Sequence, residues 1–81
     1  MLRVRLFAAL REEAGSSEVE AEASTVGDAL EVLCARYGDR FARIAGAGSV
    51  VVNGDRASRD RELTDGDEVA ILPPVSGGAR P

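Results

Sequence analysis

The chain has 81 residues, a formal net charge of −4, and neither histidine nor lysine, so all its basic residues are arginines. This length allows one small domain, and a mildly acidic chain with few aromatic side chains is not expected to bind nucleic acid. Without histidine and lysine the chain lacks the usual general base, the most common metal ligand and a Schiff-base amine. Self-contained catalysis and a bound metal are therefore not expected.

Targeting signals and cysteine usage favour a cytoplasmic protein. No apolar run reaches the roughly 20 residues that cross a bilayer, and Arg3 and Arg5 interrupt the apolar N-terminal segment, which argues against a signal peptide. The single cysteine, Cys34, cannot form an internal disulfide. We expect it to act as a small hydrophobic side chain at the edge of the core.

Two strands are predicted near the N-terminus. Residues 2–9 alternate in hydropathy, with one face formed by Leu2, Val4, Leu6 and Ala8. The other face carries Arg3, Arg5 and Phe7. A loop around residues 12–17, with Gly15 as its turn residue, leads to a short second strand over residues 18–22 that forms a hairpin with the first. Val19 and Ala21 of this strand are expected to point inward.

The main helix is predicted after Thr25, which is its N-cap, with Asp28 placing negative charge near the exposed amides. An apolar stripe at helical spacing follows and consists of Val26, Ala29, Leu30, Leu33 and Tyr37. Gly38 is a typical C-terminal stop. This spacing predicts one helix with a single buried side.

The middle of the chain predicts a hairpin. Phe41 and Ile44 are expected to anchor a short irregular or single-turn segment that ends in a loop over residues 46–48. The β-branched run at residues 50–52 then predicts a strand, and Asn53-Gly54 is a strong signal for a two-residue turn. The return strand is short and polar, as at a sheet edge.

The last packed segment begins at Leu63, and Asp65-Gly66 predicts a turn before a final strand over residues 68–72. Val69 and Ile71 are expected to point to one face and Glu68, Ala70 and Leu72 to the other. Pro73-Pro74 ends regular structure, because proline has no amide hydrogen for a ladder. We therefore expect an α+β domain over residues 1–74 and a flexible tail over residues 75–81.

Three segments together carry a resemblance to a known family: Val4-Arg5-Leu6-Phe7-Ala8-Ala9-Leu10-Arg11-Glu12, Leu63-Thr64-Asp65-Gly66-Asp67-Glu68-Val69-Ala70 and Pro73-Pro74-Val75-Ser76-Gly77-Gly78. They resemble the MoaD/ThiS family of ubiquitin-like sulfur carriers, most of all its molybdopterin synthase small subunits. The resemblance implies a β-grasp fold, with a mixed sheet of four to five strands packed on one main helix. It also implies a carrier that is not itself an enzyme.

The chemistry implied by the resemblance takes place at the C-terminal glycine, which matches Gly78. An activating enzyme adenylates this glycine with ATP and magnesium, and sulfur then replaces AMP to give a thiocarboxylate. The implied partners are this enzyme, a sulfur donor such as a cysteine desulfurase or rhodanese, and the large subunit of molybdopterin synthase. The carrier binds no cofactor itself. Gly77 and Gly78 suit a narrow channel because glycine has no Cβ, and Val75 and Ser76 complete the tail.

The resemblance also implies a docking surface beside this tail. If the first and last strands are neighbours, as in the family, Phe7, Ala70 and Leu72 share an exposed sheet face, and an exposed apolar patch indicates a partner site. In the family the positions that match Phe7, Arg11 and Leu72 contact the activating enzyme and the large subunit. Pro73 and Pro74 are included in the predicted partner-binding set.

The chain departs from the family pattern after Gly78, where Ala79-Arg80-Pro81 follows. An amide at Gly78 cannot be adenylated, so we expect a protease, such as the zinc metalloproteases that trim some relatives, to remove residues 79–81. Two alternatives remain open. One is a sulfur carrier for thiamin, cysteine, tRNA thiolation or another metabolite, and the other is a ubiquitin-like interaction module without a thiocarboxylate.

Overall fold

A computed structural model describes residues 1–74 of the chain. Within that range, five strands and three helices follow in chain order: β1 (Leu2–Leu6), α1 (Ala9–Ala14), β2 (Glu18–Ala21), α2 (Val26–Tyr37), α3 (Asp39–Ala47), β3 (Ser49–Val52), β4 (Asp55–Ala57) and β5 (Glu68–Leu72). The predicted α+β class is confirmed. No helix among these residues has the length and apolar character that a membrane crossing requires.

The strands form one mixed sheet in the order β2-β1-β5-β3-β4. β1 and β5 lie side by side and are parallel, whereas the β1–β2, β3–β5 and β3–β4 pairs are antiparallel. This confirms that the first and last strands are neighbours, as the resemblance implies. Because β5 is the central strand, the segment that follows it begins at the middle of the sheet and not at an edge.

Alternate side chains of the two central parallel strands form the floor of the core. Each of the following exposes 2% of its surface or less: Leu2, Val4, Leu6, Val69 and Ile71. The buried side of α2 belongs to the same cluster and consists of Val26, Ala29, Leu30 and Leu33. The Oγ1 of Thr25 accepts a hydrogen bond from the Asp28 amide at 3.1 Å, so the predicted N-cap is confirmed.

β1 is shorter than predicted, because a helix follows it directly. The strand ends at Leu6, and Ala8, with φ 52° and ψ −123°, turns the chain into α1. α1 ends at Ala14 and is capped by Gly15, whose φ of 76° is left-handed. The predicted strand to residue 9 is therefore wrong, as is the predicted loop over residues 12–14, whereas the turn at Gly15 is confirmed. Ala8 is exposed, and Leu10 of α1 is the fully buried side chain of this segment.

α3 is a nine-residue helix where the sequence predicts a single turn and a loop. Phe41 is fully buried, and its ring centroid lies 5.2 Å from that of Tyr37 in α2. Ile44 is half-buried and Ala45 is buried, so Phe41, Ile44 and Ala45 form an apolar stripe at helical spacing. Gly46 lowers the intrinsic helix propensity, but packing of this stripe keeps the helix intact past it.

The predicted hairpin at Asn53-Gly54 is confirmed. Asn53 has φ 53° and Gly54 has φ 87°, the left-handed pair that a two-residue turn between twisted strands requires. β4 pairs only with β3 and is the edge strand of the sheet. The final strand has the predicted bounds, and its buried and exposed residues alternate as expected.

Side-chain hydrogen bonds fix the start of β5 to this turn. Asn53 Nδ2 donates to Asp67 Oδ1 at 2.9 Å, and Asn53 Oδ1 accepts from the Glu68 amide at 2.9 Å. Asp67 Oδ2 accepts from the Thr64 amide, also at 2.9 Å. The hydrogen bond from the Thr64 amide, followed by that from Asn53, lowers the pKa of the Asp67 carboxyl group.

Candidate functional site

The candidate site lies at the end of β5, where the chain leaves the sheet. Leu72 is the last strand residue and is paired with Ser49 of β3. Pro73 is half-buried and Pro74 is exposed, and neither can donate a hydrogen bond that would extend the ladder. The strand therefore stops at this point. The predicted sulfur-bearing tail, Val75 to Gly78, begins directly afterwards and lies outside the described residues.

The sheet face opposite the helices carries a short apolar stretch between two arginines. At one level across the sheet, Arg5 is paired with Ala70, Ala70 with Val51, and Val51 with Arg56. Ala70 and Val51 are half-buried, whereas both arginines are exposed. We call these four residues, together with Leu72, the open face. Its apolar centre is bordered by charged side chains, Arg56 on one side and Arg5 with Glu18 of β2 on the other, which suits a partner surface that has an apolar centre and a polar rim.

Phe7 lies at the same end of the sheet as Leu72. It follows Leu6, which is paired with Ile71 in the parallel register, so Phe7 is at the level of Leu72 along the sheet. Its side chain is 40% exposed, and among residues 1–74 only Met1 is another exposed large hydrophobic residue. The predicted exposure of Phe7 is confirmed. Its contact with a partner remains a prediction.

Arg11 is placed by the unpredicted helix α1. The neighbouring Leu10 is fully buried and anchors this short helix to the core, whereas Arg11 is exposed on its outer side. α1 directly follows Phe7, so Arg11 belongs to the same end of the molecule as the chain exit. The structure thus groups Phe7, Arg11, Leu72, Pro73 and Pro74 at one end of the sheet.

Two kinds of reactive group bear on chemistry among the described residues, metal ligands and a cysteine thiol. No group of three histidine, cysteine, aspartate or glutamate side chains in residues 1–74 is arranged to hold a metal ion. Burial raises the pKa of the Cys34 thiol, and the nearby Arg59 guanidinium offsets only part of that rise. Cys34 packs against the core cluster, which agrees with the predicted role as a small hydrophobic side chain.

Sequence reasoning missed three residues at this site. Val51 and Arg56 extend the open face beyond β5. Successive side chains of a strand point to opposite faces, so a strand over residues 50–52 with Val50 and Val52 inward would have placed Val51 outward. Gly48 was predicted only as part of a loop, but it lies against the backbone of Leu72 and Pro73. No local sequence pattern indicates a contact between segments so far apart in the chain.

Comparisons with known proteins identify the family of the chain. The model of the ThiS family matches residues 4–78 of the chain. The "Molybdopterin synthase sulfur carrier subunit" of Escherichia coli K12 is 44% identical over 82 residues, which covers 96% of this chain and 100% of that protein.

Solved structures with the same fold include proteins named for other tasks. The solution structure of small archaeal modifier protein 1 from Methanosarcina acetivorans has a TM-score of 0.78 at 35% identity, and the match covers 95% of each chain. A chain in the crystal structure of the Amycolatopsis orientalis BexX/CysO complex has a TM-score of 0.79 at 28% identity, covering 96% of this chain and 100% of that chain.

Proposed function

The chain belongs to the ThiS family, and we propose that it is a sulfur carrier that works through Gly78. In this proposal, Gly78 is freed by removal of residues 79–81, adenylated and thiocarboxylated, and its sulfur is used in molybdopterin biosynthesis. The full-length similarity to the Escherichia coli sulfur carrier subunit is the observation that supports it most. Relatives from Escherichia coli and Haloferax volcanii are named as a sulfur carrier subunit and as small archaeal modifier proteins, in keeping with a chain that is a co-substrate and not an enzyme.

The proposed reaction needs a free carboxylate at Gly78. That carboxylate attacks the α-phosphate of ATP, which is bound with magnesium by the activating enzyme, and pyrophosphate leaves. Hydrosulfide, delivered in the cell by a donor such as a cysteine desulfurase or rhodanese, then attacks the carbonyl carbon and displaces AMP. In the 81-residue chain Gly78 is joined to Ala79 by an amide bond, so removal of residues 79–81 by a processing metalloprotease has to come first.

The domain and the tail divide this work between them. Residues 1–74 dock through Phe7, Arg11 and the open face, and residues 75–78 enter the active site of the activating enzyme and then of the synthase large subunit. Four extended residues span about 13 Å at about 3.3 Å per residue, which is enough to reach into a channel while the domain stays outside. Both partners belong to the cytoplasm in this proposal.

A direct test compares the full chain with one that ends at Gly78. Each is incubated with the activating enzyme of the same cell, ATP, magnesium and sodium sulfide, and its intact mass is measured. The chain ending at Gly78 should gain the mass difference of one oxygen replaced by sulfur, and the full chain should not. Thiocarboxylation of the full chain with residues 79–81 still attached would contradict the proposed trimming.

A second candidate pathway is favoured by the match to the BexX/CysO complex. The carrier chemistry would be the same, but the sulfur would serve another product, such as cysteine, thiamin or a thiolated tRNA. The small archaeal modifier proteins also keep open a role as a protein modifier. Pull-down of the large subunit of molybdopterin synthase by the Gly78-ended chain, measured against enzymes of these other pathways, separates the three.

A further inference from the structure

Gly48 makes an unusually close approach to the chain exit. A Cβ placed on Gly48 would overlap the carbonyl oxygen of Leu72, and it would lie 3.0 Å from the carbonyl carbon of Leu72 and 3.2 Å from that of Pro73. At the other glycines of the described chain such an atom would come no closer than 3.2 Å to a neighbour. Gly48 therefore differs from the other described glycines in that main-chain atoms occupy the space where a side chain would begin.

The need for glycine here is steric and not conformational. Gly48 has φ −95° and ψ −152°, an extended geometry that other residues adopt freely. Ser49 next to it is paired with Leu72, so the contact continues the β3–β5 pairing one step past the last paired residues. Because the atoms in the way belong to the main chain, they cannot rotate aside as the end of a flexible side chain would.

The segment that Gly48 contacts is stiff. The ring of Pro73 fixes its φ angle, and Pro74 after it restricts Pro73 to extended conformations. A displacement at the Leu72 carbonyl therefore tilts residues 72–74 as a unit. Such a tilt changes the position and the direction in which the chain leaves the domain toward Gly78.

We propose that Gly48 is a positioning residue for the sulfur-bearing tail. Its missing side chain lets the backbone of Leu72 and Pro73 lie directly against the start of β3, and this contact sets the direction in which the tail leaves the domain. The inference rests on the carrier function proposed above. In this role Gly48 contacts neither ATP nor the reacting carboxylate. It affects the reaction only by determining where Gly78 lies in the active site of the partner.

The test uses chains that end at Gly78 and measures adenylation by the activating enzyme as pyrophosphate release. Gly48→Ala should lower kcat by about tenfold to a hundredfold, the size of effect that a misplacement of about 1 Å produces, while KM changes less, because Phe7, Arg11 and most of the open face keep their places. Gly46→Ala is the matched control, since a Cβ at Gly46 meets nothing within 4 Å. It should leave kcat and KM unchanged.

A second experiment distinguishes a positioning role from general damage to the fold. It inserts a flexible segment between the domain and the tail, so that the direction of the chain at Pro74 no longer determines where Gly78 lies. Two glycines inserted between Pro74 and Val75 should themselves lower kcat, and in that background Gly48→Ala should change kcat less than twofold. An equal loss from Gly48→Ala with and without the insertion would show a structural effect and overturn the proposal. If Gly48→Ala does not fold, the chain with only the two-glycine insertion provides the test. An unchanged kcat for that chain would mean that the exit direction is irrelevant and would overturn the proposal.

Failure of the carrier function gives a different result. In that case the unaltered chain ending at Gly78 would release no pyrophosphate with the activating enzyme, and no comparison among variants would arise. If the unaltered chain is adenylated and the folded Gly48→Ala chain is adenylated at the same rate, the carrier function stands and the positioning role of Gly48 is wrong.

Discussion

The two ends of β5 are fixed to the rest of the molecule by different means. At the start of the strand, Asn53 Nδ2 and the Thr64 amide donate hydrogen bonds to the Asp67 carboxylate, and the Glu68 amide donates one to Asn53 Oδ1. At its end, Leu72 and Pro73 are placed by strand pairing and by close fit against Gly48. The first arrangement stabilises a turn. The second brings the backbones of Gly48, Leu72 and Pro73 into direct contact.

The largest expected effects are on stability and on binding, from substitutions of Ile71 and Leu72, which are neighbours at the end of β5 and face opposite sides of the sheet. Ile71 exposes 1% of its surface, so Ile71→Ala should lower the free energy of unfolding by about 2–5 kcal/mol through lost burial and the cavity left behind. Leu72→Glu should leave the thermal midpoint nearly unchanged and weaken binding to the activating enzyme by about 1–3 kcal/mol. Denaturant unfolding and titration calorimetry measure the two quantities.

Phe7→Ala serves as the companion to Leu72→Glu, since it removes an exposed apolar side chain from the same end of the sheet. It should lower affinity without destabilising the domain. A large drop in the thermal midpoint for Phe7→Ala or Leu72→Glu would place that side chain inside the core and overturn its assignment to the docking surface.

An intermediate effect is expected at the start of β5. Asn53→Gly keeps the freedom to adopt a positive φ but removes two hydrogen bonds, so it should lower the free energy of unfolding by about 1–3 kcal/mol. Sulfur loading of the folded protein at Gly78 should be unaffected, because the exit lies at the other end of the strand. A loading defect in folded Asn53→Gly would mean that the two ends of β5 are coupled.

The smallest expected effect is the pH dependence at Asp67. Because hydrogen bonds lower its pKa in the folded chain, its contribution to stability is fully present above the ordinary aspartate pKa of about 3.9. The contribution is lost as the pH falls through the lowered folded value. The difference in thermal midpoint between the unaltered chain and Asp67→Asn should therefore be constant near neutral pH and shrink in acid. A difference that grows in acid would contradict this assignment.

The sequence predicted those parts of the fold whose signals are local. Thr25 and Gly38 mark the ends of α2, Asn53-Gly54 marks the hairpin, and the alternation over residues 68–72 marks β5, because capping, turn geometry and strand periodicity each act over a few residues. α1 was missed because Phe7 and Ala8 continue the alternation of β1, and only the burial of Leu10 in the tertiary structure explains the break.

The candidate site divides in the same way. The exposure of Phe7 and the outward side of the half-buried Leu72 followed from strand periodicity, and the stop at Pro73-Pro74 followed from the missing amide hydrogens. The role of Gly48 depends on how closely two strands approach after the sheet has formed, which a one-dimensional pattern does not record. Residues 75–78 were singled out by composition and resemblance, and their part in the chemistry stays a prediction.

The parallel pairing of β1 with β5 has a consequence for how the protein is made. Arg3 is paired with Glu68, so the sheet joins segments from nearly opposite ends of the sequence, and such long-range contacts form late in folding. Until β5 has been synthesised, the β1–β2 pair and the β3–β4 pair have no strand between them. The open face is incomplete at that stage. A partner that recognises this face can therefore bind only a chain in which β5 has joined the sheet.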